Sequence, residues 1–153
     1  MGAAYFYHVT QSSIEQTLPM LLGKARQAGW RIEVRGQHAD DMERLDKQLW
    51  LGDENGFDPH GLAGGDYDAD QPVLLTFGQA AGNNPTCVMS VYGADVTPQD
   101  VTALERVCIL FDGHDGAAVA HARVQWKTLA DAGCTAQYWS QESGRWEKKA
   151  ETA

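Results

Sequence analysis

Three consecutive stretches decide the fold: AYFYHVT (4–10), QSSIEQTLPMLLGKARQAG (11–29) and WRIEVR (30–35). The first is short, apolar and aromatic, which predicts a buried strand over Ala4–Val9. Ser13 followed by Gln16 has capping-box spacing, so each side chain can satisfy an orphan backbone N–H at a helix start. Ile14, Leu18, Leu21, Leu22 and Ala25 then recur at three- and four-residue intervals, one face of a helix that stops at Gly29. Pro19 falls inside that helix and predicts a bend. Trp30 to Arg35 alternates with period two, the pattern of a strand with one wetter face. The unit is strand–helix–strand.

The same alternation continues along the chain. Asp40–Leu51 carries an apolar stripe of Met42, Leu45 and Leu49, with Asp40 and Asp41 suited to a helix N-terminus. Residues 52–71 break all periodicity and read as a long, glycine-rich, acidic loop. Val73–Phe77 is a continuous apolar run, a strand buried on both faces, and Thr86–Tyr92 is another strand. Thr97-Pro98 opens a short helix with proline at its first position. Arg106–Phe111 is a strand, Asp115–Asp131 a helix stopped at Gly133, and Thr135–Ser140 the last strand. The predicted fold class is α/β, a single-domain open sheet with helices on both faces. Residues 1–146 form that domain, Gly144-Arg145-Trp146 is a hairpin return, and 147–153 is a charged, frayed tail.

Composition restricts function. The 153 residues hold 12 Lys+Arg against 21 Asp+Glu, a formal charge of −9. So acidic a surface repels phosphate, which argues against a broad grip on nucleic acid or an anionic membrane. Cys87, Cys108 and Cys134 are odd in number and widely spaced, neither a disulfide framework nor a zinc signature, and they fit a reducing cytoplasm. The N-terminal segment lacks the basic and apolar regions of a secretion signal. No apolar run approaches the ~18 residues of a membrane span. A cytoplasmic protein is expected.

Chemistry-bearing motifs are scarce. There is no G-x-G-x-x-G and no Walker-type loop; Gly61-Leu62-Ala63-Gly64-Gly65 lacks the Lys-Ser/Thr that would hold phosphate and magnesium. Asp66, Asp68 and Asp70 begin like a calcium loop, but the glycine position is Gln71 and the twelfth position is Phe77. His8, His38, His60, His114 and His121 never stand three or four apart, so no helical metal pair exists. Cys87 and Cys108 sit in apolar runs as small hydrophobes, and Cys134 follows a helix C-terminus rather than preceding an N-terminus. From its motifs the chain is a non-catalytic α/β module with no cofactor and no metal.

One stretch is more distinctive: Leu45-Asp46-x-x-Leu49-Trp50, then Phe57-x-Pro59-His60-x-Leu62-Ala63-Gly64. It resembles the chi subunit of the bacterial DNA polymerase III holoenzyme. The aromatic first strand, the helix ending at Gly29, the Ala120-x-Ala122-Arg123-x-x-Trp126-Lys127 helix before Ala132-Gly133, and an edge-like C-terminal element ending in Trp146 extend the likeness over nearly the whole chain. The resemblance implies a mostly parallel sheet, nucleotide-binding-like but without a phosphate loop. It further implies a replisome adaptor that is not an enzyme. Such a protein binds the acidic C-terminal tail of single-stranded-DNA-binding protein and links it to the clamp-loader complex through the psi subunit, or to a helicase-like partner. It needs no direct nucleic acid and no membrane. Position 119, where the family often carries a base, is Val119, which removes one charge from the tail site.

At ~100° per residue, Ala118, Ala122 and Leu129 form a core stripe, Trp126 falls at its border, and Arg123 and Lys127 lie just beyond. On residues alone this is ordinary core beside a solvated face. With the resemblance it becomes a tail-binding site of Arg123, Trp126 and Lys127, an aromatic shelf flanked by two cations. Trp50, Phe57 and Pro59 either cover the sheet edge or form the interface with a second partner, and the aromatic, loop-borne set favours the interface. His60 reads as a hydrogen-bonded structural residue. The rival from another class is a small-molecule-binding or catalytic α/β protein with its site at the strand carboxyl ends.

Overall fold

The computed structural model describes residues 2–52, 60–78 and 80–152, with only the backbone described at 50–52. In chain order the elements are β1 (Ala3–Val9), α1 (Ile14–Gln27), β2 (Ile32–Arg35), α2 (Ala39–Gly52), β3 (His60–Leu62), β4 (Val73–Thr76), β5 (Cys87–Ser90), α3 (Pro98–Ala103), β6 (Arg106–Asp112), α4 (Gly116–Asp131), β7 (Thr135–Ser140) and β8 (Glu147–Glu151). The strands make one sheet in the order β3-β4-β2-β5-β6-β1-β7-β8. Every neighbouring pair is parallel except β7 with β8. Parallel neighbours need crossover connections, and the crossing helices bury the faces. Leu18 and Leu22 of α1 and Met42 and Leu45 of α2 pack on Val34, Leu75 and Met89. On the opposite face Val101 of α3 and Ala122 and Leu129 of α4 pack on Phe6, Val107, Ile109 and Ala136. This is the expected open, mostly parallel α/β sheet. No helix among the described residues is long and apolar enough to cross a membrane.

The local signals act as their chemistry requires. Ser13 and Gln16 form both halves of the capping box on α1, and Thr97 with Asp100 does the same for α3, where Pro98 opens the helix. Helices α1 and α4 end alike. Gly29 (φ 84°) and Gly133 (φ 83°) take left-handed conformations. Trp30 N–H then donates to Ala25 O at 3.1 Å, and Cys134 N–H to Leu129 O at 3.0 Å. These bonds satisfy carbonyls that the helix ends leave open. Asp68 accepts from the backbone N–H groups of Gly64 (2.9 Å) and Gly65 (3.1 Å), so the glycine-rich stretch is a hydrogen-bonded turn. Cys87 and Cys108 are free and buried in the core.

Three segments differ from expectation. The wetter face of β2, that of Glu33 and Arg35, borders an open pocket as its alternation predicts, yet Glu33 itself is only 5% exposed. That carboxylate accepts from Thr76 Oγ1 at 2.6 Å and pairs with Arg35 at 3.2 Å, while Arg35 also pairs with Asp100 at 2.8 Å. The loop 52–71 contains β3, which pairs parallel with β4. The tail read as frayed forms β8 along β7. An edge strand keeps one row of backbone groups in water and tolerates charged side chains, so charge did not signal disorder there. Trp146, packed edge-on against Tyr7 with ring centroids 5.3 Å apart, pins the return.

The part-buried ion triad generates a stability prediction. Burial alone would raise the Asp100 pKa, but hydrogen bonds from Arg35 and Thr97 and the Arg35 charge hold it below the usual carboxylate value. Its contribution is therefore present above the unfolded carboxylate pKa and is lost as pH falls through the lower folded value. Arg35→Met strands the Glu33 charge and should cost roughly 3 kcal/mol at pH 7. Urea denaturation should show that deficit shrinking toward pH 3; an equal deficit at both pH values would mean that packing, not charge, is responsible.

Candidate functional site

Helix α4 is capped by Asp115, whose carboxylate accepts from the N–H groups of Ala117 (3.0 Å) and Ala118 (3.4 Å). Its buried stripe is Ala122, Gln125 and Leu129. Gln125 earns its interior position by accepting from Val96 N–H at 2.9 Å. Trp126 sits at the border, half-buried and edge-on to Phe6 (5.3 Å) and Tyr138 (6.1 Å). Arg123 is exposed and makes no hydrogen bond or ion pair among the described residues.

Arg123 lines a pocket of about 390 Å³ with Val119, Tyr138, Ser140, Glu142, Lys149 and His8. Burial raises the Tyr138 pKa, with Arg123 pulling it down and Glu142 pushing it up, so the phenol is a protonated donor at neutral pH. His8 is buried at the pocket's base, stacked on Phe111, with Nδ1 3.3 Å from Ser140 Oγ and 3.4 Å from Glu142 Oε1. A Cβ on Gly113 would lie 2.4 Å from His8 Nε2, so only glycine leaves room for this ring. Lys127 stands apart: its side chain is 79% exposed and 3.8 Å from Asp131, and it does not line the pocket. The structure thus brings Arg123 and Trp126 together around Tyr138 and leaves Lys127 on the flank. Tyr138, Lys149 and His8 carried no motif; Lys149 in particular lay in a segment read as tail.

The second candidate surface begins at the end of α2. Trp50 lies in its last turns, while Phe57 and Pro59 fall outside the described residues. The distinctive motif nevertheless has a physical link. His60 of β3, 3% exposed, places Nε2 3.3 Å from Asp46 O and 3.2 Å from Asp46 Oδ1. This bond fastens α2 to the sheet edge, the structural role expected of His60.

Adjacent strands β6 and β1 send their following helices to opposite faces, α4 and α1, and the crevice at their carboxyl ends is where such sheets commonly take ligands. A cleft of about 700 Å³ lies there, lined by Glu15, Asp95, Asp112 and Asp115 together with His114 and His121. Several of these groups are engaged: Tyr92 O–H donates to Glu15 at 2.7 Å and His114 Nε2 meets Thr10 O at 2.9 Å, whereas His121 Nε2 lies 3.0 Å from Asp95 without hydrogen-bond geometry. Four carboxylates around this crevice oppose a phosphate-bearing ligand. Among the described residues no three His, Cys, Asp or Glu side chains converge as metal ligands would.

Against known proteins, the family model of the DNA polymerase III chi subunit, HolC, matches residues 1–137. No curated protein matches the chain. The match contains the Asp46–His60 link, the helix carrying Arg123 and Trp126, and nearly all of the parallel sheet. The chain belongs to the DNA polymerase III chi subunit family, an accessory, non-catalytic subunit of that replicative polymerase.

Proposed function

We propose that the chain is a cytoplasmic replisome adaptor, one α/β domain whose α4 surface holds the acidic C-terminal tail of single-stranded-DNA-binding protein. The α2–β3 side, with Trp50, Phe57 and Pro59, meets a second protein, the psi subunit of the clamp-loader complex or a helicase-like partner. The observation that carries this reading is Arg123. It is an exposed guanidinium with no hydrogen bond or ion pair among the described residues, beside the Trp126–Tyr138 aromatic pair, in a chain of net charge −9. An unpaired cation against an aromatic shelf is what an acidic peptide ending in an aromatic residue and a free carboxylate requires. Arginine suits that carboxylate because its fork binds two oxygens at once. Single-stranded DNA itself is a poor ligand, since the net charge opposes it and among the described residues no continuous basic groove accompanies the aromatics.

Calorimetry with a synthetic acidic peptide ending in Ile-Pro-Phe tests the reading. Wild type should bind in the micromolar range, about −8 kcal/mol, and more weakly as salt rises. Arg123→Ala should weaken binding more than Lys127→Ala, and amidating the peptide's C-terminus should remove most of that difference. No binding by wild type at low salt overturns the tail site.

Trp50→Ala and Phe57→Ala should each disrupt capture of the second partner while leaving peptide binding intact, since truncating an interface anchor costs about 2 kcal/mol or more. If both variants recover every partner that wild type recovers, this side is structural.

A further inference from the structure

We propose that Lys149 of β8 is the second cation of the α4 pocket, so that the C-terminal hairpin forms part of a carboxylate-binding site; this rests on the tail-binding reading above. The α4 helix brings one base to the pocket, Arg123, because the neighbouring wall residue is the apolar Val119 and Lys127 is turned to Asp131. The missing charge arrives from a strand that lies beyond the family match, which ends at residue 137.

A register shift delivers it. Tyr138 pairs with Ala150 and Trp139 with Lys148, which leaves Lys149 as an extra residue without a cross-strand partner. Such a bulge puts two successive side chains on one face and re-aims the extra one. Here it sends Lys149 to the face of Tyr138 and Ser140, into the pocket that Arg123 lines. The Lys149 side chain is half exposed, and its ion pair among the described residues is a long one, 3.4 Å to Glu147. Glu147 keeps Ser143 Oγ at 2.6 Å and Arg145 at 3.7 Å if Lys149 turns away. The lysine can therefore swing to an incoming carboxylate without stranding a charge. Two carboxylates of one acidic peptide end are the matching ligand, one on Arg123 and a second on Lys149. Glu142, 3.4 Å from His8 in the same pocket, opposes them and sets the expected sign of its removal.

The test is fluorescence anisotropy of the same labelled acidic peptide with full-length wild type, Lys149→Gln, Lys149→Glu, Lys149→Arg, Glu142→Gln and Arg123→Ala, at two salt concentrations. Substitution of an exposed bulge residue leaves the fold intact, checked by a thermal melt for each variant. Lys149→Gln should weaken binding about two- to fivefold and flatten its salt dependence, as loss of one direct ionic contact does. Lys149→Glu should weaken it further, Lys149→Arg should restore it to within about twofold, and Glu142→Gln should tighten it. If wild type binds and Arg123→Ala does not, yet Lys149→Gln and Lys149→Glu bind like wild type, the proposal is wrong and the tail reading stands. If wild type itself fails to bind, both fall.

Discussion

The double pairing of β1, parallel to β6 on one side and to β7 on the other, places the aromatic floor of the α4 surface. Residues of a strand alternate between faces, so the register that seats Phe6 beneath Trp126 also seats His8 beneath the pocket two residues on. Phe6 is fully buried and cannot move without opening the core under α4. Trp126 is thus held by Phe6 and Tyr138 together, and its half-exposed edge is a fixed shelf. A fixed aromatic costs little conformational entropy on binding, which is the property a short peptide site needs.

Much of this architecture was legible because it rests on local chemistry. The Ser13–Gln16 box, proline at the start of α3, and glycines at 29 and 133 each satisfy or terminate a helix end whatever surrounds them. The apolar run of β4 reads as burial on both faces because a parallel interior strand has no wet side. What stayed hidden depends on distant partners. Glu33 looks solvent-facing in its alternating strand, and only Arg35, Thr76 and Asp100, brought together by the sheet and α3, make it tolerable inside. Strands β3 and β8 exist by pairing with β4 and β7, and neither has the apolar content to announce itself. At the candidate site helical spacing placed Trp126 at the core border and Arg123 just beyond it, while their reading as a site came from the resemblance alone. Lys149 was not legible, because a one-residue register shift leaves no mark in sequence.

The charge distribution divides the molecule. Carboxylates gather at the carboxyl ends of β1 and β6, where folds of this class usually hold nucleotides, and they oppose phosphate there. Arg123 and Lys149 line a separate pocket beside α4, in which Glu142 is the one carboxylate among the described lining residues. At physiological salt, charges beyond ~8 Å are screened whereas direct contacts are not. A protein of net charge −9 can therefore receive an anionic peptide at that pocket, while a long polyanion would meet the whole negative field.

Placing one cation on a helix and the other on an edge strand has a thermodynamic consequence. Helix α4 is anchored by Ala122 and Leu129 in the core, whereas β8 is held by β7, by Trp146 against Tyr7, and by Thr152 N–H on Ala136 O at 2.9 Å. Edge elements open at lower free energy than the core, so the two halves of the pocket differ in local stability. A ligand that grips both must favour the closed hairpin over the open one by its differential affinity, and by linkage a looser hairpin must bind it less well. For the proposed peptide, affinity would then depend partly on the Trp146–Tyr7 contact, on the opposite face of the sheet from the pocket.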